Sequence, residues 1–317
     1  MVSREPAVTV LMPVFNTPPA MLGQAVESIR RQRLTDFEFL IVNDGSTGGA
    51  TLAALEDAAA REPRIRLVRE RHRGVTAALN RGLALARGGL IARQDADDWS
   101  EPERLERQAA FFAQHPETTV LGCAAWTHQE DGAPLWRVAM PAEHQEILAS
   151  FWHRNPFVHG SVMFRAGAAR AAGGYREELP CSQDYDFFWR LAESGRAANL
   201  SEPLYHYRYT AGSVSANKAA AQARAHAAAR GLARARRRGE GEIVARALAE
   251  ATASAGDERR SWLKQADHLM LAGNYGGAAR AYLRMIRRWP WSVLAWGKLA
   301  RLAVFCAAPP ARELCFR

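Results

Sequence analysis

Residues 8–15, "VTVLMPVF", form an unbroken apolar run rich in β-branched and aromatic residues, and "FEFLIV" at 37–42 is a second. Between them "PAMLGQAVESIRRQ", residues 19–32, spaces Leu22, Val26 and Ile29 for one face of a helix. The pattern then repeats: "TLAALEDAAARE" (51–62) reads as helix, "IRLVRE" (65–70) as strand, "GVTAALNRGLALARG" (74–88) as helix and "LIARQ" (90–94) as strand. Such alternation predicts an α/β fold whose mostly parallel sheet carries helices on its faces. In sheets of that kind the working site lies at the carboxyl ends of the strands. Here those ends carry Pro13 to Asn16, then Asn43 and Asp44, then Asp95 to Asp98.

The pattern changes after about residue 215, where Ala and Arg dominate and no strand-like run is left. This tail reads as all helix. Within it Trp262, Ala266, Leu269, "GNY" at 273–275, Ala278, Tyr282, Met285 and Pro290 fall at tetratricopeptide-like spacing, predicting a helical hairpin over about 259–292. One such repeat cannot bury its own face and must pack on its neighbours.

Charge sharpens the division. The chain of 317 residues has a net charge of +9, yet residues 216–317 hold 19 Lys and Arg against 7 Asp and Glu, which leaves residues 1–215 slightly acidic. No recognisable nucleic-acid module combines basic and aromatic patches, so a nucleic-acid binder is not expected. The apolar runs fall short of the roughly 20 residues that span a bilayer. "MVSREPAV" has no signal-type apolar region, so a cytoplasmic location is expected. Cys123, Cys181, Cys306 and Cys315 form no CxxC pair, which suggests neither a zinc site nor a disulfide framework.

The candidate chemistry begins at "ARQDADDWSEPERLERQ", residues 92–108, where Asp95, Asp97 and Asp98 crowd one strand end. Like charges so placed repel, and are tolerated where a cation or a set of donors sits among them. Oxygen-only ligands point to Mg²⁺ or Mn²⁺. The bland reading, a helix cap ahead of "EPERLERQAAFF", suits Ser100 but leaves Asp95 and Asp97 unexplained. No GxGxxG follows the first strand, which disfavours a dinucleotide dehydrogenase. In "VNDGSTGG" Asp44 could accept from a base N–H or close an ordinary Asx turn. "DADD" also invites an Asp-nucleophile phosphatase, but its position late in the sheet argues against one.

The segments "VTVLMPVFN", "FLIVNDGSTGG", "HRGVTAALNRGLALARGGLIARQDADDWSEPERLERQ", "NPFVHGSVMFRAGAARAAGGY", "SQDYDFFWRL" and "EPLYHYRYTAGSVS", in this order over about residues 6–215, resemble family-2 glycosyltransferases of the GT-A fold. The resemblance implies a GT-A nucleotide-sugar-binding fold, with a Rossmann-like mixed and mostly parallel sheet, over residues 1–215, followed by an all-α region over 216–317. It implies that Pro13, Val14 and Asn16 line a uridine pocket in which Asp44 reads the uracil edge. Asp95 would hold the ribose, and Asp97, in the DXD motif, would coordinate Mn²⁺ or Mg²⁺ bridging the donor diphosphate, with Asp98 supporting them. Arg93 would face the diphosphate or orient the carboxylates, and Arg208 would bring a cation to the phosphates.

The catalytic base implied is Asp184, preceded by Gln183 where the family usually has Glu; Asp186 is the rival and reads as a first-turn helix residue. His159 and His206 read as structural. The expected function is inverting, metal-dependent transfer from a nucleotide-sugar, a UDP-sugar by expectation, to a hydroxyl of a glycan or lipid-linked acceptor in cell-surface polysaccharide or glycoconjugate synthesis. The QxxRW element of processive synthases is absent, so a single transfer is expected. The alternative is a catalytically inactive relative acting as a scaffold through its helical tail. That tail carries "RMIRRWPWSVLAWGKLARLAVF" at 284–305, in which Trp289, Trp291 and Trp296 interleave with Arg287, Arg288, Lys298 and Arg301. It reads either as a solvated basic surface or as a peripheral contact with an anionic membrane at the inner face of the cell.

Overall fold

In the computed structural model, which describes residues 5–179, 181–212, 218–251 and 255–307, the first apolar run is strand β1 (Val8–Val14) and the second is β2 (Phe37–Asp44). Nearly every residue of both is buried, as expected of parallel strands covered on both faces. Between them α1 (Pro19–Arg30) buries Leu22, Ala25, Val26 and Ile29, the stripe its spacing predicts. The alternation continues through α2 (Gly49–Arg61), β3 (Ile65–Glu70), α3 (Val75–Leu85) and β4 (Leu90–Arg93).

β1 pairs in parallel with both β2 and β4, and β2 with β3, so the carboxyl ends of β1, β2 and β4 line one edge. Beyond β4 the sheet turns antiparallel. The elements there are β5 (Trp99–Ser100), α4 (Arg104–Gln114), β6 (Thr118–His128), β7 (Pro134–Val138), α5 (His144–Ser150), β8 (Met163–Arg165), α6 (Ala166–Ala171), α7 (Gln183–Ser194) and β9 (Arg196–Arg208). The strands among them present no clean period of two, whereas α4 and α7 lie where the sequence predicts helix. The sheet order is β3-β2-β1-β4-β8-β6-β9-β5, with β7 beside β6. The sheet is therefore mixed. Two of its antiparallel pairings matter for chemistry: β4 with β8, and β5 with β9, where Ser100 stands opposite Tyr205.

The chain divides into two units. The first comprises residues up to Trp126, Arg137–Glu177 and Gln183–Tyr207; the second comprises Thr127–Trp136, Glu178–Ser182 and the chain from Arg208 onward. The expected boundary at 215/216, like Cys315 and Ser213 to Ser215 of the last quoted segment, lies outside the described residues.

The second unit is helical from α8 (Ala219–Arg237) through α9 (Val244–Glu250), α10 (Ala255–Leu271), α11 (Tyr275–Arg288) and α12 (Val293–Ala307). Ala266, Leu269, Ala278, Ala281, Tyr282 and Leu302 form one core across α10, α11 and α12. Met285, Ile286, Trp289 and Ala295 form a second, against which Trp262 packs. Asn274 caps α11 by accepting from the Gly277 N–H at 2.9 Å. Among the described residues no helix is long and apolar enough to cross a membrane.

Candidate active site

Two clusters of side chains stand along the edge where β1, β2 and β4 end. At the first, the chain leaving β1 turns at Asn16, whose φ of 49° is left-handed and suits asparagine. Its Oδ1 accepts from the Thr47 and Gly48 N–H groups at 2.8 and 3.1 Å, just ahead of α2, and its own N–H donates to Ser46 Oγ at 2.9 Å. Pro13 and Val14 pair with Val42 and Asn43 on β2. Asp44, at the end of β2, is buried, and its two oxygens accept the Arg73 and Gly74 N–H groups at 2.8 and 2.9 Å. The loop ahead of α3 thus wraps the Asp44 carboxylate. Gly45 makes that approach possible: with φ of +70°, a Cβ there would lie 2.5 Å from the His72 nitrogen.

The second cluster is built on β4. Arg93 is fully buried, and its guanidinium donates to the Leu11 and Gln94 carbonyls at 3.0 and 2.8 Å, to His159 Nε2 at 3.3 Å and to Asp95 Oδ1. The guanidinium is thus held against the Asp95 carboxylate. Burial works to raise the Asp95 carboxyl pKa, but the Arg93 guanidinium beside it, with Arg104, outweighs it and holds the group below the usual carboxylate range. Asp98 is buried and accepts from Tyr205 Oη at 2.9 Å, while the same hydroxyl accepts the Asp95 N–H at 3.2 Å. Burial and the two aspartates push Tyr205 well above its ordinary pKa, so it stays a donor.

Beneath the turn Gln94 donates to the Asp95 and Asp98 carbonyls at 3.0 and 3.1 Å, and Arg104 donates to Gln94 Oε1 and Ser100 Oγ at 3.1 and 2.8 Å. The acidic turn is therefore fixed from below. Asp97, at its apex, is half-buried and its neighbour Ala96 is buried.

The short helical turn His159–Ser161 brings a third strip of chain against this floor. A Cβ on Gly160 would lie 1.9 Å from Tyr205 Oη and 2.8 Å from Asp95 Oδ2, so only glycine permits the contact. Burial, then the charge of Arg93, depresses the His159 pKa, while Asp95 and Asp184 act to raise it. The imidazole is neutral and accepts at Nε2. Asp184 lies in the first turn of α7, half-buried, with Asn155 Nδ2 donating to its Oδ2 at 2.9 Å. His159 and Tyr175 both feel Asp95 and Asp184, which places the two carboxylates around one neighbourhood.

Asp186, the rival base, is buried and paired with Arg176 at 3.0 Å and Arg190 at 2.8 Å. Arg208 belongs to the second unit, where it is buried and donates to the Glu130 carbonyl at 3.2 Å. His206 stacks on Trp99 and lies 2.8 Å from Glu101 Oε1. Cys123 is buried, which pushes its thiol up to about 11 and leaves it inert.

The sequence reading missed Phe15, His72, Tyr205, Arg104, Asn155 and Tyr175. Phe15 carried a signal, since an aromatic at a strand end before a turn is out of place unless used. It is 45% exposed and stacks on His72 at 3.9 Å between ring centroids.

The sequence profile of Glycosyl transferase family 2 matches residues 9–172, which include both clusters up to the His159 turn. The chain belongs to this family. It is 36% identical to the putative glycosyltransferase EpsE of Bacillus subtilis over 64% of this chain and 73% of that one. It is 32% identical to the amylovoran biosynthesis glycosyltransferase AmsE of Erwinia amylovora over 66% of this chain and 78% of that one. Among solved structures it resembles the mannosyltransferase PcManGT of Pyrobaculum calidifontis in complex with GDP-Man and Mn²⁺, with TM-score 0.56, 20% identity and coverage of 99% and 84%. It also resembles S. aureus TarS 1–349 in complex with UDP-GlcNAc, with TM-score 0.55, 17% identity and coverage of 88% and 80%. At those identities the likeness is one of fold, and that fold is GT-A. The chain is a glycosyltransferase, and its two clusters lie along one edge of that fold.

Proposed function

We propose that this glycosyltransferase moves a sugar from a UDP-sugar to a hydroxyl of a glycan or lipid-linked acceptor, in polysaccharide biosynthesis, with inversion at the anomeric carbon. The observation that carries the reading is the pairing of an acidic turn, braced from below by Arg93, Tyr205 and Arg104, with a second carboxylate, Asp184, across His159. AmsE, a relative in amylovoran biosynthesis, supports the pathway class, and the UDP-GlcNAc complex of a structural neighbour supports the donor class.

In this reading the uridine half of the donor lies at the first cluster, where Pro13, Val14, Asn16 and Asp44 form the wall and the Phe15–His72 pair offers an aromatic face. Asp44 spends both oxygens on the loop ahead of α3, so it shapes the uracil pocket as well as reading the base edge. Asp95 holds the ribose.

The residues fit a divalent cation by the chemistry of their donors. Among the described residues no three side chains of the metal-ligating types converge, but hard cations are held by one or two carboxylates plus substrate phosphates and need no all-protein cage. Asp97 would hold Mn²⁺ or Mg²⁺, which supplies charge neutralisation for the departing diphosphate. Arg93 favours the ionised form of Asp95, and Tyr205 fixes Asp98 by donating to its carboxylate.

Asp184, oriented by Asn155, accepts the proton of the acceptor hydroxyl as its oxygen bonds to the anomeric carbon and the carbon–oxygen bond to diphosphate breaks. Arg176 and Arg190 offset the charge of Asp186, so Asp184 does not face a second uncompensated carboxylate. The test is release of free nucleotide from a panel of UDP- and GDP-sugars with Mg²⁺ or Mn²⁺. Turnover of a UDP-sugar that requires added cation is expected, and failure to consume any nucleotide-sugar with either cation would overturn the reading.

A further inference from the structure

The helix pair α11–α12 is unusual in charge and in what it exposes. Residues 275–303 contain six cations, Arg280, Arg284, Arg287, Arg288, Lys298 and Arg301, and no Asp or Glu. All but Lys298 are exposed, and Lys298 pairs with Asp267 of α10. At the junction of the two helices, Trp289 is buried in the core while four large apolar neighbours are not. Trp291 is 71% exposed, Val293 83%, Leu294 56% and Trp296 51%. Exposures this high belong to side chains that protrude, not to the walls of a groove that would receive a peptide. Contiguous exposed apolar residues of this size mark an interaction site.

We infer that the α11–α12 junction is a membrane-docking tip, with Trp291, Val293, Leu294 and Trp296 entering the headgroup region of an anionic bilayer and the arginines of the two helices meeting its phosphates. Aromatic and aliphatic side chains beside Arg, with no acidic residue between, are the composition that lies in a lipid interface. Anionic lipid attracts each nearby cation, and the tip carries Arg287 and Arg288 immediately before Trp289. A second copy of this chain is disfavoured as the occupant, because it would bring the same uncompensated positive charge to the contact. The inference deepens the lipid-linked acceptor reading, yet it depends on no step of the sugar transfer.

The test is flotation of the full chain with vesicles of phosphatidylcholine alone or with about one-third phosphatidylglycerol. Binding is expected to the anionic vesicles, at least about tenfold stronger than to neutral ones, and to weaken as salt rises. The triple variant Trp291→Ser, Val293→Ser, Leu294→Ser removes only exposed side chains and should float at least about tenfold less. A variant with Arg287→Glu and Arg288→Glu should lose the preference for anionic lipid. Circular dichroism and nucleotide release by the variants separate lost docking from lost folding or lost transfer. No binding to anionic vesicles, or binding untouched by the triple variant, overturns the inference. So does a concentration-dependent dimer that the triple variant abolishes while vesicle binding persists.

Discussion

Replacing Arg93 by methionine tests the brace beneath the acidic turn. Methionine keeps the apolar stem and much of the volume but removes a charge that is wholly buried, two donations to the Leu11 and Gln94 carbonyls, one to His159 and the pairing with Asp95. Breaking a buried pair from one side costs about 3–5 kcal/mol, because the remaining charge stays without its partner. The Asp95 side chain is 27% exposed and water relieves part of that, so about 3 kcal/mol is expected. A domain stable by about 5–15 kcal/mol survives the loss.

The pH dependence carries the sign. In the wild type the Asp95 pKa is lowered, so its stabilisation is present above the ordinary carboxylate range and is lost as pH falls through the lowered value. In Arg93→Met burial loses its main opponent, the pKa rises, and protonation relieves the variant on acidification. The stability gap between the two proteins should therefore shrink from pH 7 to about pH 4. Urea unfolding of the wild type, Arg93→Met, Asp95→Asn and the double variant measures it. A cost below about 1 kcal/mol, or losses in the two single variants that simply add in the double, would refute the reasoning.

Three further outcomes are expected. Asp184→Asn should leave UDP affinity unchanged while turnover falls about 10²- to 10⁴-fold; a near-normal rate would place the base elsewhere. Tyr175 Oη is buried without a hydrogen-bond partner among the described residues, an arrangement costing about 1–3 kcal/mol, so Tyr175→Phe should be no less stable than wild type in thermal unfolding. Gly88→Ala should destabilise by about 1–3 kcal/mol in urea, because its Cβ would lie 2.5 Å from the Thr9 nitrogen and 2.6 Å from the Val8 carbonyl carbon, both backbone.

The parallel half of the sheet was legible because strands covered on both faces spell continuous apolar runs, and β1, β2 and α1 lie where those runs and spacings put them. The antiparallel half was not. β6 contains Gly122 and a string of small residues, β9 contains Glu202 and Pro203, and β5 is only two residues long, so none presents a clean period of two.

At the site, the carboxylates were legible because charge at the end of an apolar strand needs a reason. The groups that brace them were not. Tyr205 lies 110 positions from Asp95 and meets it only because β5 pairs with β9. Arg104 stands in the stretch "EPERLERQAAFF" with nothing in its neighbours to signal burial, whereas the fold turns it inward beneath Gln94. The aromatic tail likewise mixed two populations, with Trp289 in the core and Trp291 and Trp296 outside, which spacing alone could not separate.

In the proposed mechanism Asp97 holds a cation against the donor diphosphate within reach of Asp184. Crystals soaked with UDP and Mn²⁺, read at the manganese absorption edge, test this most directly. The prediction is one anomalous peak at the Asp97 carboxylate, about 2.0–2.2 Å from its oxygen, with the uracil beside Asp44. A peak bound elsewhere, or UDP ordered away from the ends of β1, β2 and β4, would contradict it.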